Sequence, residues 1–143
     1  MVTGDRGYIG SALVPMLRKK NYNVVGYDSG YFLENLLEQY DEDYLMLTRD
    51  IRDIEREDME GVDGVIHLAG LSNDPLGEFS PKLTEDINYN GTMHLAKIAK
   101  DVGVSRFVYA SSQSMYGISD TVNELDEDES KKNPVTAYAI AKW

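Results

Sequence analysis

Thr3-Gly4-Asp5-Arg6-Gly7-Tyr8-Ile9-Gly10 joins a short apolar start, Met1–Thr3, to a stretch of helical periodicity over Tyr8–Lys20. Glycine at positions 4, 7 and 10 permits a tight strand-to-helix turn, lets backbone amides come close to an anion, and lets the helix pack near the strand. A diphosphate would rest on the positive N-terminus of that helix. The spacing differs from G-x-G-x-x-G, and a glycine triplet alone marks no more than a tight turn. Its surroundings add weight. Tyr22–Tyr27 reads as a second strand, and Asp28 stands at its end, eighteen residues past Gly10, where a carboxylate would accept the ribose hydroxyls of a dinucleotide. The same carboxylate would repel a 2′-phosphate, so NAD is favoured over NADP. Arg6, inside the turn, reads either as a neutraliser of such a phosphate or as a solvated surface arginine.

Further along, Tyr44–Leu47, Val65–Ala69 and Arg106–Ala110 are strand candidates, the last two nearly continuous apolar runs expected to be buried on both faces. Tyr8–Lys20 places Ile9, Leu13, Met16 and Leu17 on one stripe, and Leu83–Asp101 places Ile87, Leu95, Ile98 and Val102 on another. Pro15, within the first helix, removes a backbone donor and predicts a bend. Strand and helix in repeated alternation predict right-handed crossovers and an α/β, Rossmann-type doubly wound parallel sheet in the order 3-2-1-4-5. Ser112–Thr136, with its Gly, Asn, Pro and the acidic run Asp126-Glu127-Asp128-Glu129, is placed as a loop.

Composition narrows the function classes. At 143 residues the chain has room for one domain, 1–143, and none for a separate substrate domain. A net charge of -11 repels polyphosphate backbones and anionic membrane surfaces, so nucleic acid and membrane are not expected partners. No apolar stretch approaches the length of a membrane span. Without cysteine there is neither a disulfide framework nor a thiolate metal site, and a start lacking a basic-then-apolar segment points to a cytoplasmic location.

Chemistry enters near the end of the chain. Tyr138 and Lys142 are four apart at the start of a helical stretch, Thr136–Lys142, so they share one face. A phenol is too weak an acid to serve as a base at neutral pH, and a neighbouring ammonium stabilises its phenolate. The bland alternative is a solvent-facing pair. His67 and His94 are isolated and make no metal site.

Taken in order, the glycine turn, Asp28, Asp50-Ile51-Arg52, His67-Leu68-Ala69-Gly70, Asn88-Tyr89-Asn90-Gly91-Thr92, Ser111-Ser112-Gln113-Ser114-Met115-Tyr116-Gly117 and the Tyr138/Lys142 pair resemble the extended short-chain dehydrogenases/reductases, the NAD-dependent epimerase/dehydratase kind, over essentially the whole chain. The resemblance implies Ser112, Tyr138 and Lys142 as the catalytic trio. Ser112 would hold the substrate oxygen, Tyr138 would be the acid/base, and Lys142 would stabilise its phenolate and bind the nicotinamide ribose. It further implies cofactor contacts from Gly4, Gly7, Tyr8, Ile9, Gly10 and Asp28, adenine contacts from Asp50 and Ile51, and backbone contacts from Leu68 and Ala69. His67 becomes a structural residue near a strand end, and His94 a surface or packing residue.

The activity so implied is that of an NAD-dependent sugar-nucleotide epimerase working through a transient keto-sugar, with hydride passed to and from NAD. Alternatives are an NAD(P)-dependent dehydrogenase/reductase of a nucleotide-linked sugar and, further off, a non-catalytic dinucleotide sensor. The 4,6-dehydratases of this fold carry an Asp-Glu pair after the Ser/Thr, whereas this chain has Gln113-Ser114, and glutamine cannot act as a general acid. Family members commonly dimerise through the helix holding Asn88 and the one begun by Tyr138. With two residues before Thr3 and one after Lys142, the chain reads as cut short at both ends. The expectation is a domain marginally stable and inactive by itself.

Overall fold

The short apolar runs become strands because each offers alternate residues to two helical layers. The computed structural model describes residues 1–33, 43–119, 122, 124–128 and 130–143. Five parallel strands, β1 (Val2–Thr3), β2 (Val25–Asp28), β3 (Leu45–Thr48), β4 (Gly64–His67) and β5 (Arg106–Tyr109), form one sheet in the order β3-β2-β1-β4-β5. This is the predicted order. β1 is central, with Val2 opposite Gly26 and Ile66, and Thr3 opposite Tyr27 and His67. The register puts Thr3, Tyr27 and His67 side by side on one face.

That face is covered by helix α4 (Gly91–Val102), whose Leu95 and Ala99 meet Tyr27, Val65, Ile51, Ile54 and Met59 in the larger core. Burying a leucine such as Leu95 contributes about 2 kcal/mol. The opposite face is covered by α1 (Tyr8–Lys19), where Val14 packs with Val2 and Val24 and with partly buried Leu13, Leu17, Ile66 and Leu68. The buried stripe of α1 is therefore Gly10, Leu13, Val14 and Leu17. Ile9 and Met16, expected on that stripe, are 58% and 59% exposed. The helix is rotated because Gly10, lacking a side chain, is the residue pressed against the turn. It also runs through Pro15, which stays on the exposed side.

Three other expectations are corrected. β5 is not buried on both faces: Phe107 packs into the larger core, but Val108 points to the α1 side, where no described element covers it, and is 56% exposed. The helix expected over Leu83–Asp101 is three pieces, α3 (Pro81–Thr84, following α2, Asp74–Phe79), a π-helical segment Glu85–Asn90, and α4. Periodicity of 3.6 cannot reveal a π turn, since the apolar spacing on either side is unchanged. The region 112–136 contains a 3₁₀ turn, Gln113–Tyr116, before the last helix, α5 (Ala137–Lys142). Of the acidic run, Glu129 lies outside the described residues.

Candidate active site

All strands point their C-terminal ends to one edge, and the residues singled out from sequence gather there. At β1, the chain turns through Gly4, whose φ is 71° and whose N–H donates to Tyr27 O at 2.8 Å. A Cβ on Gly4 would lie 2.7 Å from Ala69 N, and one on Gly10 would lie 2.2 Å from Gly4 O, so neither position admits a side chain without displacing backbone. Gly7 is the N-cap of α1 and supplies no side-chain cap, which leaves the first-turn amides of Tyr8, Ile9 and Gly10 without a side-chain acceptor. Tyr8 is 95% exposed. A helix start stripped of its usual cap and open to solvent fits a diphosphate.

Asp28 ends β2, and its Oδ1 accepts from Gly30 N at 2.7 Å. Asp50 follows β3; its carboxylate takes hydrogen bonds from Arg52 Nε, a terminal Arg52 nitrogen and Arg52 N, and the adjacent guanidinium holds it below the usual carboxylate range. The fully buried Tyr27 hydroxyl donates to Asp50 O at 3.2 Å, tying this loop to the core, and burial pushes that phenol up to about 12. Ile51 is buried in the larger core, so any contact it makes to a ligand comes from its backbone.

Arg6 is neither solvated nor free to swing: it is 7% exposed and donates to Thr48 Oγ1 at 2.9 Å. The reading of a surface arginine is corrected, because the turn folds the side chain inward over the end of β3. Asp5, passed over in the sequence, is fully buried beside it, with Oδ2 accepting from the Tyr44 hydroxyl at 2.7 Å and lying 4.0 Å from Arg6 Nε. Asp5 Oδ1 and Arg6 Nε have no hydrogen-bond partner. Burial raises the Asp5 carboxyl above the usual range, opposed by the tyrosine bond.

At β5 the chain enters the turn Gln113–Tyr116, capped by Ser112, whose Oγ accepts from Ser114 N at 3.2 Å. Helix α5 packs against this turn, so Ser112 and the Tyr138/Lys142 helix are neighbours. Ser111 Oγ donates to Lys142 O at 3.1 Å, and Lys142 Nζ donates to Ala110 O at 3.1 Å. Lys142 is 5% exposed, which sets aside a solvent-facing pair, and burial pulls its ammonium below the usual lysine range. The start of α5 is held by α2. Thr136 caps the helix by accepting from Ala139 N and donates its own hydroxyl to Asp74 Oδ1 at 2.6 Å, while Ala137 N donates to Glu78 Oε1 at 2.6 Å.

A family profile described as "NAD dependent epimerase/dehydratase family" matches residues 1–143. The chain belongs to this family. A UDP-glucose 4-epimerase from Rhizobium meliloti (strain 1021) is 31% identical over 147 residues, covering 100% of this chain and 43% of the relative. Among solved structures, an NAD-dependent NDP-hexosamine 5,6-dehydratase involved in tunicamycin biosynthesis superposes with a TM-score of 0.88 at 26% identity, covering 99% of this chain and 45% of that one. The Thermus thermophilus UDP-glucose 4-epimerase in complex with NAD gives 0.85 at 26% identity, with 99% and 46% covered. The chain thus spans less than half the length of the relatives it matches.

Within this member of the epimerase/dehydratase family, sequence reasoning missed how His67 is held. The ring is fully buried, with Nδ1 2.6 Å from Thr3 Oγ1 and Nε2 2.7 Å from Thr92 Oγ1. Thr92 gives its single hydroxyl proton to Asn88 O at 2.6 Å, so the proton between Nε2 and Thr92 belongs to the histidine. Nδ1 is then an acceptor from the Thr3 hydroxyl, which itself accepts from Ala69 N. Burial, aided by Lys142, pushes His67 down to about 4. His67 is structural, as the resemblance implied. Asn88, fully buried, bridges the backbone of Leu71 through both side-chain atoms. His94 bonds Ile54 O from the exposed side of α4. Among the described residues no group of three His, Cys, Asp or Glu could hold a metal ion, and no helix is long and apolar enough to cross a membrane.

Proposed function

We propose that this chain is the NAD-binding part of a sugar-nucleotide epimerase in which Tyr138 is the acid/base, Ser112 holds the reacting oxygen, and Lys142 stabilises the Tyr138 phenolate. One observation carries the reading: the Ser112 turn and the helix bearing Tyr138 and the buried Lys142 pack together at the sheet edge that also holds the uncapped glycine turn. The residues present fit NAD. Gly4 and Gly10 leave room for a diphosphate against backbone, the amides of Gly7, Tyr8 and Ile9 would face it, and Asp28 would take the ribose hydroxyls. Asp50 and the backbone of Ile51 would border the adenine, and backbone at Leu68 and Ala69 would line the path to the nicotinamide. When bound, NAD supplies hydride uptake and return at one sugar carbon.

The protein's own part is proton movement and positioning. Tyr138 Oη takes the proton from the sugar hydroxyl while Ser112 Oγ holds that oxygen, and the same phenol returns the proton after the keto-sugar has presented its other face. A nucleotide-linked sugar is the substrate class, as in the UDP-glucose 4-epimerase relative. Gln113 and Ser114 in place of an acid pair favour epimerisation over 4,6-dehydration. Exposed Met93 on α4 and Ile140 on α5 support pairing of two copies through these helices.

In the full-length protein, Tyr138→Phe should lower turnover of UDP-glucose at least about a hundredfold and leave NAD affinity within about twofold, since general acid/base catalysis is the function removed. Steady-state rates and NAD titration check this. Undiminished turnover would refute the assignment.

A further inference from the structure

We infer that Tyr109 is a positioning residue for Lys142: its ring, stacked on neutral His67, holds the lysine ammonium where the proposed chemistry needs it. The inference rests on the functional reading above for its purpose, but its geometry stands apart from it. Lys142 Nζ lies 4.8 Å from the Tyr109 ring centroid, within the range of a cation–π contact. The Tyr109 ring is itself fixed, stacked on His67 at 5.6 Å with an interplanar angle of 21° and hydrogen-bonded to Thr92. An ammonium has three donors, and the ring face offers electron density where Ala110 O meets one of them. In this largely desolvated corner such a contact reaches the upper part of its range.

The arrangement explains why His67 must be neutral. A second positive charge against the same ring would repel Lys142, and the Thr3–His67–Thr92–Asn88 chain of hydrogen bonds is polarised for an uncharged ring with its proton on Nε2. The titratable groups facing this corner are His67 from β4, Tyr109 from β5 and Tyr138 from α5. Only a ring at 109 links β4 to the lysine, because β5 lies between them in the sheet order.

The test uses the full-length protein and reads Lys142 directly, by its side-chain ¹⁵N resonance against pH. Replacing Tyr109 with Leu should move the Lys142 titration down by about one pH unit, while Tyr109→Phe, which keeps the ring, should stay close to wild type. A series of phenylalanines of increasing ring fluorination at position 109, equal in shape but weaker toward cations, should lower it stepwise and serves if the leucine variant does not fold. The acid limb of the pH–rate profile should rise in the same order, and NAD affinity should fall by about tenfold in Tyr109→Leu. A Lys142 titration indifferent to the ring overturns the inference. A titration that follows the ring in a protein that neither binds NAD nor turns over UDP-glucose supports the platform and condemns the functional reading instead.

Discussion

Two polar clusters lie buried on either side of β1, and they are built to opposite standards. Thr3, His67, Thr92 and Asn88 form a chain in which each hydrogen has one direction to go. Asp5 and Arg6, under the glycine turn, leave one carboxylate oxygen and one guanidinium nitrogen without partners. The first cluster is neutral and sits beneath the catalytic corner; the second is ionisable and sits beneath the adenosine end. A buried network with every donor and acceptor met specifies one arrangement, whereas a half-met one costs stability. The catalytic corner is therefore the rigid half of the proposed site.

Their pH responses have opposite signs, which gives the sharpest way to separate them. The unfolded chain binds a proton at His67 near pH 6.5 and the folded chain not until about 4, so folding stability is complete above 6.5 and is lost as pH falls toward 4. The loss is about 3 kcal/mol, the free-energy equivalent of that difference. Urea unfolding between pH 4 and 7 should show this slope in wild type and not in His67→Asn; an equal slope in both would break the comparison at its firmer end.

Asp5 works the other way. Its folded carboxyl is raised, so the folded state holds its proton to higher pH than the unfolded one, and the stability present at acid pH is lost as pH rises through the folded value. Asp5→Asn keeps an acceptor for Tyr44 and removes the buried charge, and should stabilise the chain by about 1 kcal/mol at pH 7, the low end of what an unpartnered buried acceptor costs. Urea midpoints for the two proteins at pH 7 decide it, and a variant less stable than wild type would mean that the carboxylate is held by more than Tyr44.

The smallest effect concerns the edge of the rigid half. Glu78→Ala removes the carboxylate that meets Ala137 N at the start of α5 and should cost about 0.5 kcal/mol, as loss of a helix cap at an exposed site does. A loss well above this in thermal unfolding would show that α2 carries more of the catalytic helix than its two carboxylates suggest.

What could be read from the sequence follows from range. The strand order and the glycine turn were legible because they are written in short stretches, Gly4 to Gly10 and four apolar runs after β1, whose patterns point to one local structure each. Ser112, Tyr138 and Lys142 were legible as a set only through the resemblance, and their elements do pack together. The partners of His67 were not legible: Thr3 and Thr92 lie 64 and 25 residues away, and a threonine carries no mark of such service. Asp5 and Arg6 were misjudged for the opposite reason. Charged residues in a turn ordinarily face water, and here the turn folds them inward, against Tyr44 and Thr48.

The π turn at Glu85–Asn90 sets a limit on how this stretch could change in length. A π turn amounts to one residue more than an α turn would hold. Deleting any one residue there would let the segment relax into α-helix and rotate everything beyond it by about 100°. Thr92 would leave His67 and Asn88 would leave Leu71 together. Substitutions along the exposed side of this helix are absorbed locally, but its residue count between Leu71 and Thr92 is fixed by two hydrogen bonds at once.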